Sequence, residues 1–159
     1  MITHKELIQR GVKWLRNSRH YRYRSQIIIT EFVSYANEIP DIFGMGHHHT
    51  NVIECKVTLS DFKADFKKGH RNHINSLGNW RMYLCPVGLI PVELVPEDWG
   101  LLYCHDKKIT IEKQPLDHHE PEVRYEEYHV LYSIIRRVQI AGCLEKALRT
   151  LKEKESGKE

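Results

Sequence analysis

The sequence lacks the features of membrane and disulfide-bonded proteins. None of its apolar runs approaches the roughly 20 residues of a membrane span, and the first residues, MITHKELIQR, lack a signal-peptide core. The four cysteines, at 55, 85, 104 and 143, form no CxxC pair. Cysteine zinc ligands and a disulfide framework are therefore not expected. We expect no membrane partner, a cytoplasmic location and reduced cysteines in the core.

The chain also has no internal repeat, and its low-complexity segments are limited to a triple-histidine run and a charged tail. Its 159 residues suit one domain with a proper core, so we assign residues 1–159 to a single domain. The net charge of +3 is modest but unevenly spread. Residues 1–25 carry seven lysines and arginines against one acid.

Apolar periodicity predicts a helix, three strands, a short helix, further strands and a long final helix. Thr3 and Glu6 form a capping box for the first helix, and Ser60 is expected to cap the short one. The predicted strands are 26–35, 41–45, 52–59, 81–87, 100–105 and 108–112. This order gives an α/β sandwich, a mixed sheet with helices on its faces.

The final helix is predicted over residues 124–152, after a linker at 115–121. Its apolar residues recur at helical spacing, so they are expected to form one buried stripe. That stripe contains Tyr128, Leu131, Ile135, Val138, Ala141, Leu144, Leu148 and Leu151.

Three charged residues lie where the second and third predicted strands face each other. If the hairpin is tight around His47-His48, the numbers of cross-strand partners sum to 95, and Asp41 lies opposite Glu54. Directly opposed residues have Cβ atoms about 5 Å apart, which allows two carboxylates to share one cation. Side chains alternate along a strand, so Glu54 and Lys56 share a face. This arrangement is typical of a divalent-cation site beside a lysine, chemistry that cleaves phosphodiester bonds.

Glu31 is the one charged residue in the apolar run QIIITEFVSY. Pairing of this strand with the next brings Glu31 beside Asp41. An isolated acid in an apolar strand is costly unless it is paired or bound to a metal. We therefore expect Glu31 to join the site directly or through water.

With these residues in order, the chain resembles the PD-(D/E)xK nuclease superfamily. Pro40-Asp41, Glu54 and Lys56 match the signature, and the closest likeness is to its small bacterial and phage DNA-repair branch. The short helix Asp61–Lys67 and the segments Arg81–Pro86 and Trp99–Leu102 also resemble that branch. The likeness covers about residues 26–113, and it departs in the His-rich turn and in the basic segment before Gln26.

The resemblance implies a restriction-endonuclease-like fold and a metal-dependent deoxyribonuclease that acts in repair, recombination or phage DNA metabolism. Asp41 and Glu54 would bind Mg²⁺ or Mn²⁺ together with the backbone carbonyl of Cys55. Lys56 would position and activate the attacking water. Many enzymes of this kind are dimers, and the long final helix is a candidate interface, although a stripe buried on the monomer explains it equally well.

Two basic clusters are candidates for binding DNA. Arg22 and Arg24 alternate with tyrosines, a pattern that suits a phosphate backbone and exposed bases. A second group lies near the expected site, where Lys67 and Arg71 would hold the scissile strand. That second group consists of Lys63, Lys67, Lys68, Arg71 and Arg81.

Imidazole side chains suit transition metals, so the run His47-His48-His49 is a candidate ligand set. Adjacent residues in a tight turn point in different directions, which favours an exposed polar turn instead. The alternative to a nuclease is a non-catalytic nucleic-acid-binding module with the same fold. An intact set of Asp41, Glu54 and Lys56 argues against that alternative, because a decayed site has no reason to keep a costly acid pair.

Overall fold

The computed structural model describes residues 2–65, 77–119 and 121–148. In the chain, helix α1 precedes the strands of the sheet, α2 lies between the third and fourth strands, and α3 follows the last strand. The described elements are α1 (His4–Asn17), β1 (Ile27–Thr30), β2 (Ile42–Met45), β3 (Thr50–Cys55), α2 (Leu59–Asp65), β4 (Trp80–Pro86), a 3-10 turn (Val92–Leu94), β5 (Gly100–Cys104), β6 (Ile109–Lys113) and α3 (Pro121–Ile140). None of these helices combines the length and the apolar content that crossing a bilayer requires.

The six strands form one sheet in the order β1-β2-β3-β4-β5-β6. The central pairs β3–β4 and β4–β5 are parallel, while the pairs at both edges are antiparallel. The fold is therefore α/β with a mixed sheet flanked by helices, as the sequence predicts.

Helix α1 covers one face of the sheet. The predicted capping box is present: the Thr3 side chain accepts from the Glu6 amide, and the Glu6 carboxylate accepts from the Thr3 amide. The buried side of α1 packs on alternate residues of the central strands. This cluster includes Leu7, Leu15, Ile42, Ile53, Met82, Leu84 and Leu102.

The opposite face carries two further clusters. One joins Phe62 of α2 to Tyr83, Trp99 and Leu101, and the other joins Val130 of α3 to strands β2 and β3. Because successive side chains of β4 point to opposite faces of the sheet, Met82 and Leu84 point to α1 while Tyr83 points to α2. Glu54 pairs with Tyr83 across the β3–β4 ladder, so its side chain lies on this second face.

Several predicted boundaries are wrong. β1 ends at Thr30 instead of residue 35, and β3 spans 50–55 instead of 52–59. The cap of α2 is Thr58, whose hydroxyl accepts from the Asp61 amide at 3.1 Å, so Ser60 lies inside the helix. Three cysteines are buried as expected, but Cys143 is exposed.

The prediction for the final helix is wrong in length and in orientation. α3 ends at Ile140, a turn follows in which Gly142 has φ of +71°, and residues 144–148 are helical again. The buried positions of α3 are Val123, Glu126, Val130 and Ser133. Most of the predicted stripe is exposed, including Tyr128, Leu131, Ile135 and Leu148.

Candidate active site

The hairpin of β2 and β3 has the predicted register. Ile42 pairs with Ile53 and Phe43 with Val52, so partner numbers sum to 95. Asp41 directly precedes β2, and the same register, continued by one residue beyond the last observed pair, would place it opposite Glu54. The carbonyl of Asp41 accepts a hydrogen bond from the Glu31 amide at 3.1 Å, which continues the β1–β2 pairing by one residue. The three predicted acids therefore lie on neighbouring strand ends.

Asp41 is held by two groups through the same oxygen. Its Oδ2 accepts from the Cys55 amide at 2.7 Å and lies 3.3 Å from Nε2 of His4, the first residue of α1. His4 is a site residue that sequence reasoning missed, because 37 residues separate it from Asp41 and no local motif connects them.

Lys56 is buried between two carboxylates. Its Nζ lies 3.5 Å from Oε2 of Glu54 and 3.2 Å from Oδ1 of Asp65. The Tyr83 hydroxyl donates to the other oxygen of Asp65 at 3.2 Å. All four of these side chains are buried. The prediction that Glu54 and Lys56 share a face is confirmed, and Asp65 is a further site residue.

Asp65 was absent from the predicted set although its segment, Asp61–Lys67, was part of the resemblance. The helical spacing places Asp61 and Asp65 one turn apart, so the sequence alone does not tell which of them turns inward. The distinguishing signal is Phe62: it packs on Tyr83 with ring centroids 4.9 Å apart, and this orients α2. Asp65 then faces β3, while Asp61 is exposed.

The surroundings keep Lys56 charged. Burial by itself disfavours the ammonium, but the negative charges of Glu54, Asp65 and Asp61 outweigh it, and the pKa of Lys56 is raised above its ordinary value. A lysine with a raised pKa does not serve as a base near neutral pH. It can orient a water molecule or offset negative charge that develops on a phosphate.

Glu31 does not have the surroundings that the sequence suggested. β1 ends one residue before it, its side chain is exposed, and its φ of +48° is in the left-handed region. The expectation of a poorly solvated acid inside an apolar strand is therefore wrong. The Glu31 amide still donates a hydrogen bond to the Asp41 carbonyl, so the two residues are neighbours. If Glu31 acts at the site, it acts as a carboxylate exposed to solvent.

Cys55 lies between the two halves of the site. Its thiol is buried in the α1 cluster, where burial and the nearby charges of Asp41 and Glu54 raise its pKa well above the ordinary value. A thiol in this state is inert. The backbone amide binds Asp41, and the role of the backbone carbonyl as a metal ligand stays a prediction.

The donors at the site suit a hard cation. Asp41 and Glu54 offer carboxylate oxygens, and Mg²⁺ is commonly held by one or two carboxylates with waters and substrate phosphate. Within residues 2–65, 77–119 and 121–148, no group of three or more His, Cys, Asp or Glu side chains is arranged to hold a metal ion. Two carboxylates are donors of a kind that Mg²⁺ accepts, and a metal ion at this position stays a prediction.

The predicted basic residues fall in three places. Lys67 and Arg71 lie outside the described residues. Arg22 and Arg24 are exposed near the loop between β2 and β3, away from Lys56. Arg81 is buried and makes two hydrogen bonds to the Glu38 carboxylate, at 2.9 and 3.0 Å, so its expected place in a basic surface is wrong.

The comparisons with known proteins bear on the fold. No family model and no curated protein matches this chain. A solved structure described as "SPO1766 protein of unknown function from Silicibacter pomeroyi" is similar, with a TM-score of 0.59 and 22% sequence identity. The match covers 91% of this chain and 92% of that one. The likeness therefore extends over the whole α/β domain.

Proposed function

We propose that the chain is a metal-dependent deoxyribonuclease of the PD-(D/E)xK type that hydrolyses phosphodiester bonds in DNA. One observation carries the proposal: Nζ of the buried Lys56 lies 3.5 Å from Oε2 of Glu54, beside a hairpin whose register, continued by one residue, would place Asp41 opposite Glu54. Buried acids beside a buried lysine are costly to fold, which makes such a group a candidate for function.

Asp41, Glu54 and the Cys55 carbonyl would hold Mg²⁺ or Mn²⁺. The bound ion would polarise the phosphate and lower the pKa of a water molecule. Lys56, kept as an ammonium, would orient the water and offset the charge that develops on the phosphate. Asp65 and Tyr83 are positioning residues, because they hold Lys56 through hydrogen bonds on the side away from Glu54.

The test combines cleavage with metal binding. Asp41→Asn keeps the shape of the side chain, and we expect it to lower DNA cleavage in Mg²⁺ or Mn²⁺ by at least about a hundredfold and to weaken Mn²⁺ binding in calorimetry. Lys56→Met should lower cleavage comparably, and the double variant should be no worse, because such groups act as one unit. Asp106→Asn removes an exposed acid elsewhere and is the matched control. Near-parental cleavage by Asp41→Asn would reject the assignment.

A non-catalytic nucleic-acid-binding module is the second candidate. It is favoured by the double engagement of Lys56, which Glu54 and Asp65 both neutralise. The same assay separates the two functions: a binding module would retain DNA in EDTA and in Mn²⁺ and would cut no substrate. Single-stranded, branched and end-bearing DNA are the substrates to compare, since the resemblance implies repair, recombination or phage DNA metabolism in the cytoplasm.

We further propose that α3 forms a homodimer. Tyr125, Tyr128, Tyr132 and Ile135 are exposed and follow the alternating three- and four-residue spacing of a two-helix seam. Segments 66–76 and 149–159 are mostly polar and charged, so the chain itself offers little apolar surface to cover this face. A second copy presents the same apolar seam, and symmetric dimers are the commonest soluble assemblies.

Light scattering after size exclusion would measure the dimer directly. The paired substitution of Tyr132 and Ile135 by glutamate should convert a dimer to a monomer while the far-ultraviolet circular dichroism stays unchanged. Lys107→Glu, which reverses an exposed charge on the turn before β6, is the control. A parent protein that is monomeric at all concentrations tested would reject this interface.

A further inference from the structure

A cleft lies at the end of the sheet where the β2–β3 hairpin turns. Its volume is about 450 Å³, within the range of pockets that hold small molecules. Its lining includes Tyr21, Arg22 and Arg24 from the segment after α1. His47 from the turn and Trp80 from β4 also line it.

This cleft is separate from the candidate active site. Trp80 pairs with Asn51 near the start of β3, whereas Lys56 follows its end. The six-residue span from Thr50 to Lys56 corresponds to about 20 Å of strand. Trp80 also packs in the cluster on the α1 face, while Glu54 lies on the other face.

The charge of the cleft favours an anion. Among the described residues that line it, Arg22 and Arg24 outnumber the one carboxylate, Asp117. Arg22 is also oriented by its neighbours, because its guanidinium carbon lies 5.6 Å from the Tyr21 ring centroid and 5.5 Å from that of Trp80. The Tyr21 hydroxyl accepts from Nε of Arg22 at 3.2 Å.

The cleft also offers an aromatic surface. Tyr21 is 74% exposed, and it lines the cleft together with the two arginines. A base stacks on such a ring while the attached phosphate pairs with a guanidinium, which is how single-stranded nucleic acid is commonly held. An anion without a ring would leave Tyr21 unused, and a neutral aromatic molecule would leave the arginines unused.

We propose that this cleft binds an unpaired nucleotide of a DNA strand, with the base on Tyr21 and the phosphate at Arg22 and Arg24. The inference shares with the proposed function the premise that the chain binds DNA. It does not depend on cleavage at Asp41, Glu54 and Lys56.

Fluorescence anisotropy in EDTA tests the base contact. The probe is a labelled single strand of about 12 nucleotides, within the span that single-strand-binding folds cover, and a blunt duplex of the same sequence is compared. Tyr21→Phe keeps the ring, and Tyr21→Leu removes it. Relative to Tyr21→Phe, Tyr21→Leu should weaken binding of the single strand by between about fivefold and a hundredfold, the range for the stacking of one base on one ring. Duplex binding should be the same for both variants.

Arg24→Ala tests the phosphate contact. It should weaken single-strand binding and flatten the slope of log K against log salt by about 0.7 for each phosphate that the variant no longer neutralises. Arg136→Ala, which removes an exposed arginine from α3, should change neither quantity. The proposal would be overturned if the two Tyr21 variants bound the single strand with equal affinity, or if Tyr21→Leu weakened single-strand and duplex binding equally. It would also be overturned if Arg24→Ala and Arg136→Ala had equal effects on single-strand binding. Competition by a free nucleoside monophosphate as strong as by the oligonucleotide would also overturn it, since the ligand would then be the free nucleotide.

Because EDTA removes the metal, this binding result is independent of catalysis. A chain that holds the single strand through Tyr21 but cuts no DNA would reject the nuclease and keep this inference. If the chain cuts DNA but Tyr21→Phe and Tyr21→Leu bind the single strand equally well, the nuclease would be kept and this inference rejected.

Discussion

At the scale of single residues, Lys56 shows how folding and chemistry share one group. Its ammonium neutralises Glu54 and Asp65, and all three side chains are buried. Removing one member of such a set leaves a buried charge without its partner, which typically costs more than the intact set contributes. The site is therefore expected to report on stability as well as on catalysis.

We predict that Lys56→Met lowers the free energy of unfolding by about 3–5 kcal/mol near neutral pH, because it removes a buried cation that contacts two buried carboxylates. The folded protein raises the pKa of Lys56, so its stabilisation is fully present below the unfolded value, near 10.4, and is lost as the pH rises through the folded value. The gap between parent and variant should therefore shrink at alkaline pH. Urea unfolding at neutral and alkaline pH measures it.

Lys63→Met is the control for this experiment, since it removes an exposed lysine from α2. It should change stability little at any pH. If Lys56→Met also cost little near neutral pH, the three buried charges would not form the coupled set described above.

Glu31 provides a second residue-scale prediction. Glu31→Gln should raise the Mg²⁺ concentration needed for cleavage, because an exposed carboxylate beside Asp41 would act on the ion through water. Glutamine leaves the positive φ of residue 31 unchanged, so backbone strain is the same in both proteins. Glu6→Gln, by contrast, keeps an acceptor oxygen for the capping box but loses a negative charge near the start of α1, so it should cost a little stability with almost no loss of rate. A metal titration with the reverse pattern would place the first helix, not β1, at the ion.

At the scale of elements, the sequence predicted the hairpin better than the helices. The register of β2 and β3 follows from the position at which the tight turn is centred. That one position was enough to predict the observed pairs, whose numbers sum to 95. The exposure of Glu31 was unpredictable in the same way that the end of β1 was: both depend on where the chain leaves the sheet. His4 reaches Asp41 only because α1 packs across the sheet, a contact that local patterns do not contain.

The prediction of which face of helix α3 is buried failed for a different reason. The strongest apolar periodicity of α3 faces outward, and its buried side includes Glu126, which accepts from the Asn37 amide and side chain at 2.8 Å. Ser133 is also buried, and its hydroxyl accepts from the Tyr35 amide. The inner face of α3 thus mixes these polar groups with Val123 and Val130, so apolar periodicity alone indicates the wrong face. The apolar stripe on its outer face is exposed.

The entry into β4 gives an element-scale prediction. Gly78 has φ of +87°, and an added Cβ would lie 2.8 Å from Cγ2 of Val52. Gly78→Ala should therefore cost about 1–3 kcal/mol from strain and a further penalty of about 1–3 kcal/mol from overpacking. Gly88→Ala is the matched control, because φ there is +72° with no described atom within 4 Å of the added Cβ. Chemical denaturation should show a larger loss for Gly78→Ala; equal losses would leave strain as the whole effect.

At the scale of the whole molecule, a buried ion pair ties the segment before Asp41 to the centre of the sheet. Arg81 binds both oxygens of Glu38 and the carbonyl of Leu77, and its guanidinium lies 4.5 Å from the Trp99 ring centroid. Glu38 also accepts from the Leu77 amide. A planar, two-pronged pair fixes geometry in a way that a lysine does not. The segment that carries Asp41 is thereby attached to β4, the strand beside Glu54.

The sheet thus separates the candidate active site from the cleft at the β2–β3 turn, and we predict that the two act independently. Tyr21→Leu should leave Mn²⁺ affinity unchanged, and Asp41→Asn should leave single-strand binding in EDTA unchanged. Effects of distant substitutions usually add within about 0.3–0.5 kcal/mol, so the double variant should match the sum of the two single ones to about twofold in each affinity. Calorimetry with Mn²⁺ and anisotropy in EDTA measure the two quantities on the same four proteins. A larger deviation would mean that the cleft and the acidic site are coupled, either through the sheet or across a dimer. Repeating the four measurements in the background in which Tyr132 and Ile135 are both replaced by glutamate would distinguish these two routes.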